Sequence, residues 1–287
     1  MRKLSLAILP VILLANILNY AQKVQPPAYS DSLRFAIIGD SGTGAKPQYE
    51  IGGKLSATRM RFPFEFVLMM GDNLYGAETP NDFQKKFTKP YQSLIASGVK
   101  FYAALGNHDD PPRQINYKPF NMGGKRYYTF KPKENIRFFA LDSNYMDKEE
   151  LLWFDQELKA SGSEWKIVFF HHPIYSSGEA HGSNVELRTL IEPLMVQYGV
   201  DVVFTGHEHF YERIKPQKGI NYFVVGSSAK LREGNIQKTN LTARGFDQDN
   251  VFMVAEIEGD NMTFQVISRM GQMVDSGTVH RAERKRR

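Results

Sequence analysis

Five short apolar runs in this chain each stop at a side chain that binds hard metal ions. Phe35–Ile38 precedes Gly39-Asp40, Phe66–Met70 precedes Gly71-Asp72, and Phe101–Leu105 precedes Gly106-Asn107. Ile167–Phe170 runs into His171, and Val202–Phe204 leads through Thr205-Gly206 to His207, with His209 two residues on. Carboxylate, amide and imidazole donors together suit iron, zinc or manganese rather than a thiolate-seeking metal. Six such residues are too many for one four-coordinate ion. In an extended His207-Glu208-His209 both imidazoles face one side and Glu208 the other, so one histidine can serve each of two metals. His171 and His172 are adjacent and would diverge if extended, a conformation to which Pro173 biases His172. Only one of them is expected to bind metal directly, with His172 steadying a ligand or phosphate from behind.

These donors need elements that bring them together. The runs are brief, rich in β-branched and aromatic residues, and four of them are closed by glycine, which predicts buried strands stopping at polar loops. Asp40 and Asp72 are 32 residues apart, Asp72 and Asn107 are 35 apart, and His171 and His207 are 36 apart. Each interval is about one strand–helix–strand unit. Parallel strands of that kind place their carboxyl ends along one edge, where open α/β sheets bind ligands. Helices are expected over 47–61, 81–97, 148–160 and 184–198, with Asn81, Asp147 and Asn184 as N-caps. Asn107 and His171 are 64 residues apart, and the stretch between them holds two more strand-like runs, Tyr127–Lys131 and Arg137–Leu141, read as an inserted hairpin. After Glu212 the pattern is β alone: Asn221–Val225, Val251–Ile257, Met262–Ser268 and Met273–Val279 predict an antiparallel half of the core. Ser227–Asn250 is polar and rich in Gly, Asn and charge, and reads as a long surface loop, either near the site or mobile.

The chain has 287 residues, 42% hydrophobic and 13% aromatic, enough for one large α/β domain. Met1–Ala21 has a basic start, an apolar stretch and a small last residue, and resembles a secretory signal; a retained anchor is the rival reading. The expected division is a signal at 1–21, one domain at 22–280 and a basic tail at 281–287. The formal charge of +5 is concentrated at the ends: Arg2, Lys3 and the Arg281–Arg287 stretch carry six positive charges net, which leaves the body at −1. Such a body is not a nucleic-acid binder by charge. With no cysteine, disulfides and thiolate ligation are excluded.

Gly39-Asp40-Ser41-Gly42, Gly71-Asp72-Asn73-Leu74-Tyr75, Gly106-Asn107-His108-Asp109, Val168-Phe169-Phe170-His171 and Gly206-His207-Glu208-His209 together resemble the five metal motifs of calcineurin-like metallophosphoesterases. Tyr75 narrows the resemblance to purple acid phosphatases, and from about Arg34 onward the chain is most similar to the short, tartrate-resistant form. The resemblance implies a four-layer α/β/β/α sandwich with two mixed sheets. It implies Fe(III) held by Asp40, Tyr75, His209 and a bridging Asp72, and a divalent metal (Fe, Zn or Mn) held by Asp72, Asn107, His171 and His207. His108 and His181 match family positions that steady the phosphate and assist the leaving group. The implied activity is an acid phosphatase, in which a metal-bound hydroxide attacks a small phosphate monoester in line. Two alternatives stand beside it: a phosphodiesterase or nucleotide pyrophosphatase using the same site, and a non-catalytic secreted protein that binds metal or phosphate. Together with the leader, this places the protein in the periplasm or outside the cell, without stable insertion in a membrane once the leader is cleaved.

Overall fold

The computed structural model describes residues 24–281; the expected signal segment and all of the basic tail beyond Arg281 lie outside them. Thirteen strands form two sheets among these residues. In the first sheet, β1 (Leu33–Ile38), β2 (Phe66–Met69) and β3 (Lys100–Ala103) are parallel neighbours. A meander of β11 (Val251–Glu258), β12 (Asn261–Ser268) and β13 (Met273–His280) adds to it, with β11 antiparallel to β1. The second sheet runs β10 (Thr242–Phe246), β8 (Tyr211–Ile214), β9 (Asn221–Val225), β7 (Val202–Thr205), β6 (Trp165–Phe169), β5 (Ile136–Ala140) and β4 (Tyr128–Lys133). In it β5, β6, β7 and β9 are parallel.

Strand alternation divides the second sheet's side chains between two cores. Phe138, Ile167, Phe169, Val202 and Phe204 point into the cluster shared with the first sheet. Their neighbours Phe139, Val168, Phe170 and Val203 join a second cluster with Phe154 and Leu158 of α5 (Lys148–Ala160) and Leu187, Ile191 and Met195 of α6 (Val185–Tyr198). That period of two is the reason these strands are apolar throughout: both of their faces are buried. Phe35 of β1 joins the sheets directly, stacked on Phe66 at 5.4 Å and edge-on to Phe138 at 5.3 Å and Phe204 at 6.3 Å. Outside the first sheet, α1 (Lys46–Arg59) buries Ile51 and Leu55. The layers are thus helix, sheet, sheet, helix, with two mixed sheets, as the motif resemblance implies.

Three expectations need correction. The helix expected over 81–97 is divided into α2 (Pro80–Phe83), a π turn (Gln84–Thr88) and α3 (Gln92–Ala96). Pro90, which has no N–H to donate, sits at the break. Its N-cap is Thr79, whose hydroxyl forms a capping box with Asp82, and Asn81 lies inside the helix. The strands after Glu212 do not form a separate antiparallel half: β9 runs parallel to β7, and only β11–β13 build the meander. The stretch Ser227–Asn250 contains β10, paired with β8. By contrast, Asp147 and Asn184 cap α5 and α6 through their side chains, and β4–β5 is the inserted hairpin.

The donor-bearing strand ends lie on two facing sheets rather than on one. β1, β2 and β3 end at Asp40, Asp72 and Asn107, while β6 and β7 end at His171 and His207. The metal-binding types therefore gather at a rim between the sheets. β13 runs away from that rim, and Arg281 at its end donates its backbone N–H to Asp260 in the turn between β11 and β12.

Candidate metal centre

Asp40 and Asp72 are 0% and 1% exposed, and with His209 they form one cluster of donor atoms lying within 4.8 Å of one another. Asp40 Oδ1 is 3.4 Å from His209 Nε2 and accepts from the Tyr75 hydroxyl at 3.2 Å, and that hydroxyl is 3.4 Å from His209 Nε2. At the other end, His171 Nε2 is 3.5 Å from Asp72 Oδ1, 3.0 Å from Asn107 Oδ1 and 3.1 Å from His207 Nδ1. Asp72 stands between the two groups. Metal–ligand bonds of about 2.0–2.2 Å put neighbouring donors of one ion about 3 to 3.5 Å apart, the spacing seen at both ends.

The donor states fit as well. His171 Nδ1 lies 2.8 Å from the Met70 carbonyl, to which it donates, so the neutral ring presents a bare Nε2 to two oxygens, an arrangement a cation satisfies. Burial first, then the neighbouring His172, holds His171 well below the usual histidine range. Burial and His171 push His207 down to about 2, and burial with Arg232 pushes His209 down to about 4. Neutral imidazole is the form that ligates. Asp40 is pushed well up by burial and then by Asp72, and Tyr75 is pushed up by burial and then by Asp40. Such crowding of acids is costly unless positive charge is placed among them.

The backbone is bent to make this approach. Asp40, Asp72 and His207 have φ of 52°, 51° and 66°, in the left-handed region that costs a non-glycine residue about 1–3 kcal/mol. Hydrogen bonds hold them there: Asp40 donates its N–H to the Gly71 carbonyl, and His207 donates its own to Asp40 Oδ2 at 2.9 Å. Gly106 lets the Asp72 loop pack closely against it, since a Cβ on it would stand 2.2 Å from the Asp72 nitrogen.

His108 and His181 are exposed at the rim. The His108 ring lies 5.0 Å from that of Tyr75, and the His181 ring 4.3 Å from that of His207, so the pair flanks the two ends of the donor cluster. All nine side chains singled out in the sequence thus meet at one place. His172 departs from expectation: the chain bends at His171-His172 instead of running extended, and the two rings converge at 5.0 Å rather than diverging.

Other residues emerge whose part was open or invisible in the sequence. Asp109 is buried and accepts from the backbone N–H groups of Leu74 (3.0 Å) and Gly106 (2.8 Å) and from the side chains of Asn73 and Gln114, which ties two ligand loops together. Glu208, fully buried, accepts from the N–H groups of His181 and Gly182 and so fixes the loop carrying His181. Its position between His207 and His209, expected to face away from them, was the available signal. Ser143 and Lys230 carried none; the Lys230 ammonium lies 4.5 Å over the Tyr75 ring, and its backbone N–H donates to the Asp40 carbonyl. The start of the 227–250 stretch is therefore packed against the site.

Comparison with known proteins agrees with this geometry. The chain is 26% identical to purple acid phosphatase 17 of Arabidopsis thaliana over 78% of its length and 76% of that protein's. It is 25% identical to human tartrate-resistant acid phosphatase type 5 over 84% and 89% of the two chains. Among solved structures, GAP50, the anchor in the inner membrane complex of Plasmodium, superposes with a TM-score of 0.75 at 19% identity, covering 88% of this chain and 90% of that one. The purple acid phosphatase PPD1 from yellow lupin seeds superposes at 0.72 with 21% identity, over 90% and 55%. These two likenesses speak for the fold. The model of the calcineurin-like phosphoesterases matches residues 33–211, a span that holds every donor of the cluster, and the chain belongs to that family.

Proposed function

We propose that this protein is a binuclear acid phosphatase that hydrolyses small phosphate monoesters. The observation that carries the reading is a pair of donor groups at ligand spacing, joined by Asp72, with a tyrosine hydroxyl on one of them. Asp40, Tyr75, His209 and Asp72 would hold the trivalent ion, because the anionic side chains are concentrated there. Asp72, Asn107, His171 and His207 would hold a divalent one. When bound, such a pair polarises the phosphoryl group and lowers the pKa of coordinated water.

The chain's own residues supply the rest. His108 and His181 stand at the open side, where their N–H groups can donate to phosphoryl oxygens. As oxygen from water bonds to phosphorus and the ester bond opens, the departing alkoxide takes a proton from one of these imidazoles. His181 is steadied for this by Glu208 through its backbone N–H. The leader-like pattern of Met1–Ala21 supports a periplasmic or extracellular place of action, and among the described residues no helix is long and apolar enough to cross a membrane.

The test joins metal analysis, spectroscopy and kinetics. Protein loaded with iron should carry two metals per chain and a visible tyrosinate-to-iron band. Tyr75→Phe should abolish the band while the protein stays folded. Hydrolysis of an aryl phosphate should outpace that of the matching diester at acidic pH. A colourless, iron-free but active enzyme would refute the ferric assignment, and faster diester cleavage would refute the monoesterase.

A further inference from the structure

Beside the donors assigned to the divalent end stands a third imidazole. His171, His172 and His207 form a cluster in which one ring nitrogen of each lies within 4.8 Å of the others, with ring centroids 5.0, 4.9 and 4.5 Å apart. His172 is tethered as His171 is. Its Nδ1 lies 2.9 Å from the Ser143 hydroxyl, which also accepts the His172 backbone N–H at 3.1 Å. Nδ1 is thereby engaged, and Nε2 is the nitrogen left to bind. A ligating histidine characteristically has its other ring nitrogen fixed by a hydrogen bond, and here the two adjacent histidines both show that pattern. The bend at residues 171–172 makes this possible, because an extended pair would send the two rings to opposite faces.

Resting on the binuclear reading, we propose that His172 is a further nitrogen donor to the divalent position, so that this end offers three imidazoles beside Asp72 and Asn107. Imidazole suits zinc, whereas manganese favours oxygen ligands. A three-imidazole set therefore selects Zn(II) over Mn(II) more strongly than the two-imidazole set would. Ser143 acts through His172 as a positioning residue.

The experiment uses the full chain stripped of metal, titrated with Zn(II), Mn(II) and Co(II) by calorimetry. The Co(II) electronic spectrum and the tyrosinate-to-iron band are followed alongside. In His172→Gln, Zn(II) affinity at one of the two positions should fall, the preference for Zn(II) over Mn(II) should narrow, and the Co(II) spectrum should change, while the iron band persists. Ser143→Ala should lose about ten- to a hundredfold in the same affinity, which keeps the test informative if His172→Gln fails to fold. Unchanged Zn(II) affinity and Co(II) spectrum in His172→Gln, or a loss confined to inorganic phosphate binding, would overturn the proposal and leave the two-metal reading intact. A wild-type chain that takes up fewer than two metals would overturn both.

Discussion

Asp72 stands between the two ends of the donor cluster, and its surroundings make a distinction between charge and shape. Asp72→Asn keeps the volume and the acceptor for the His108 N–H, seen here at 3.0 Å, but removes the negative charge two cations would share. Metal analysis of Asp72→Asn should find fewer than two metals per chain in a protein that still folds. Asp109 shows how a residue that touches no metal can matter. Burial and the Asp72 charge push its carboxyl up to about 8, while donors from two ligand loops converge on it. Asp109→Ala leaves those buried donors without an acceptor, at about 1–3 kcal/mol each. It should lower the denaturant midpoint and weaken metal binding by about ten- to a hundredfold, as chemical denaturation and metal titration would show. At this scale most of the donors were legible because they stand at the ends of apolar runs, and Tyr75 only through the motif resemblance, whereas Asp109 looked like any loop carboxylate: its importance comes from Leu74 and Gln114, which only folding brings to it.

The elements show where local sequence information is enough. α5 begins where Asp147 accepts the Glu150 N–H, and Glu150 reaches back to accept the Asp142 N–H at 2.7 Å. Glu150 is fully buried with Oε2 unpartnered, and burial, opposed by the Asp142 N–H and aided by the Asp142 charge, pushes its carboxyl up to about 8 from 4.5. Between those two values the folded state holds a proton that the unfolded state has released, so stability falls as pH rises through that window. Glu150→Gln should flatten the dependence of the urea midpoint on pH between about 5 and 8, a contribution on the order of a few kcal/mol at the upper end. An unaltered slope would show that Glu150 ionises normally. Caps such as Asp147 and Asn184 could be read from sequence because they act on their own next turn. The 81–97 helix could not, since its apolar spacing continued across Pro90 and concealed the π turn. β8 and β10 were missed for another reason: β8 follows the His209 loop directly, and β10 is only partly buried, with a sequence, TARGF, that has little strand character until it meets its partner.

On the scale of the molecule, the site is a junction between two sheets, and its contents should be coupled to their stability. A ligand that binds only the folded state stabilises it by about 4 kcal/mol at a thousandfold excess over its Kd. Chelation should therefore lower the melting temperature measured by scanning calorimetry, and Asp72→Asn should lose most of that response. Phe35, packed against both sheets, is the corresponding apolar link; Phe35→Ala should cost about 3–5 kcal/mol with or without metal. Which strands belong to which sheet was not written in the apolar runs, because a strand buried on both faces looks the same in either. The direction of β13 has one more consequence. It carries the chain down to Arg281, at the end of the sheet opposite the donor-bearing strand ends. Protein coupled to a bead through that end would stand with its mouth toward the bulk solution, and its turnover of a small ester should match that of the free molecule.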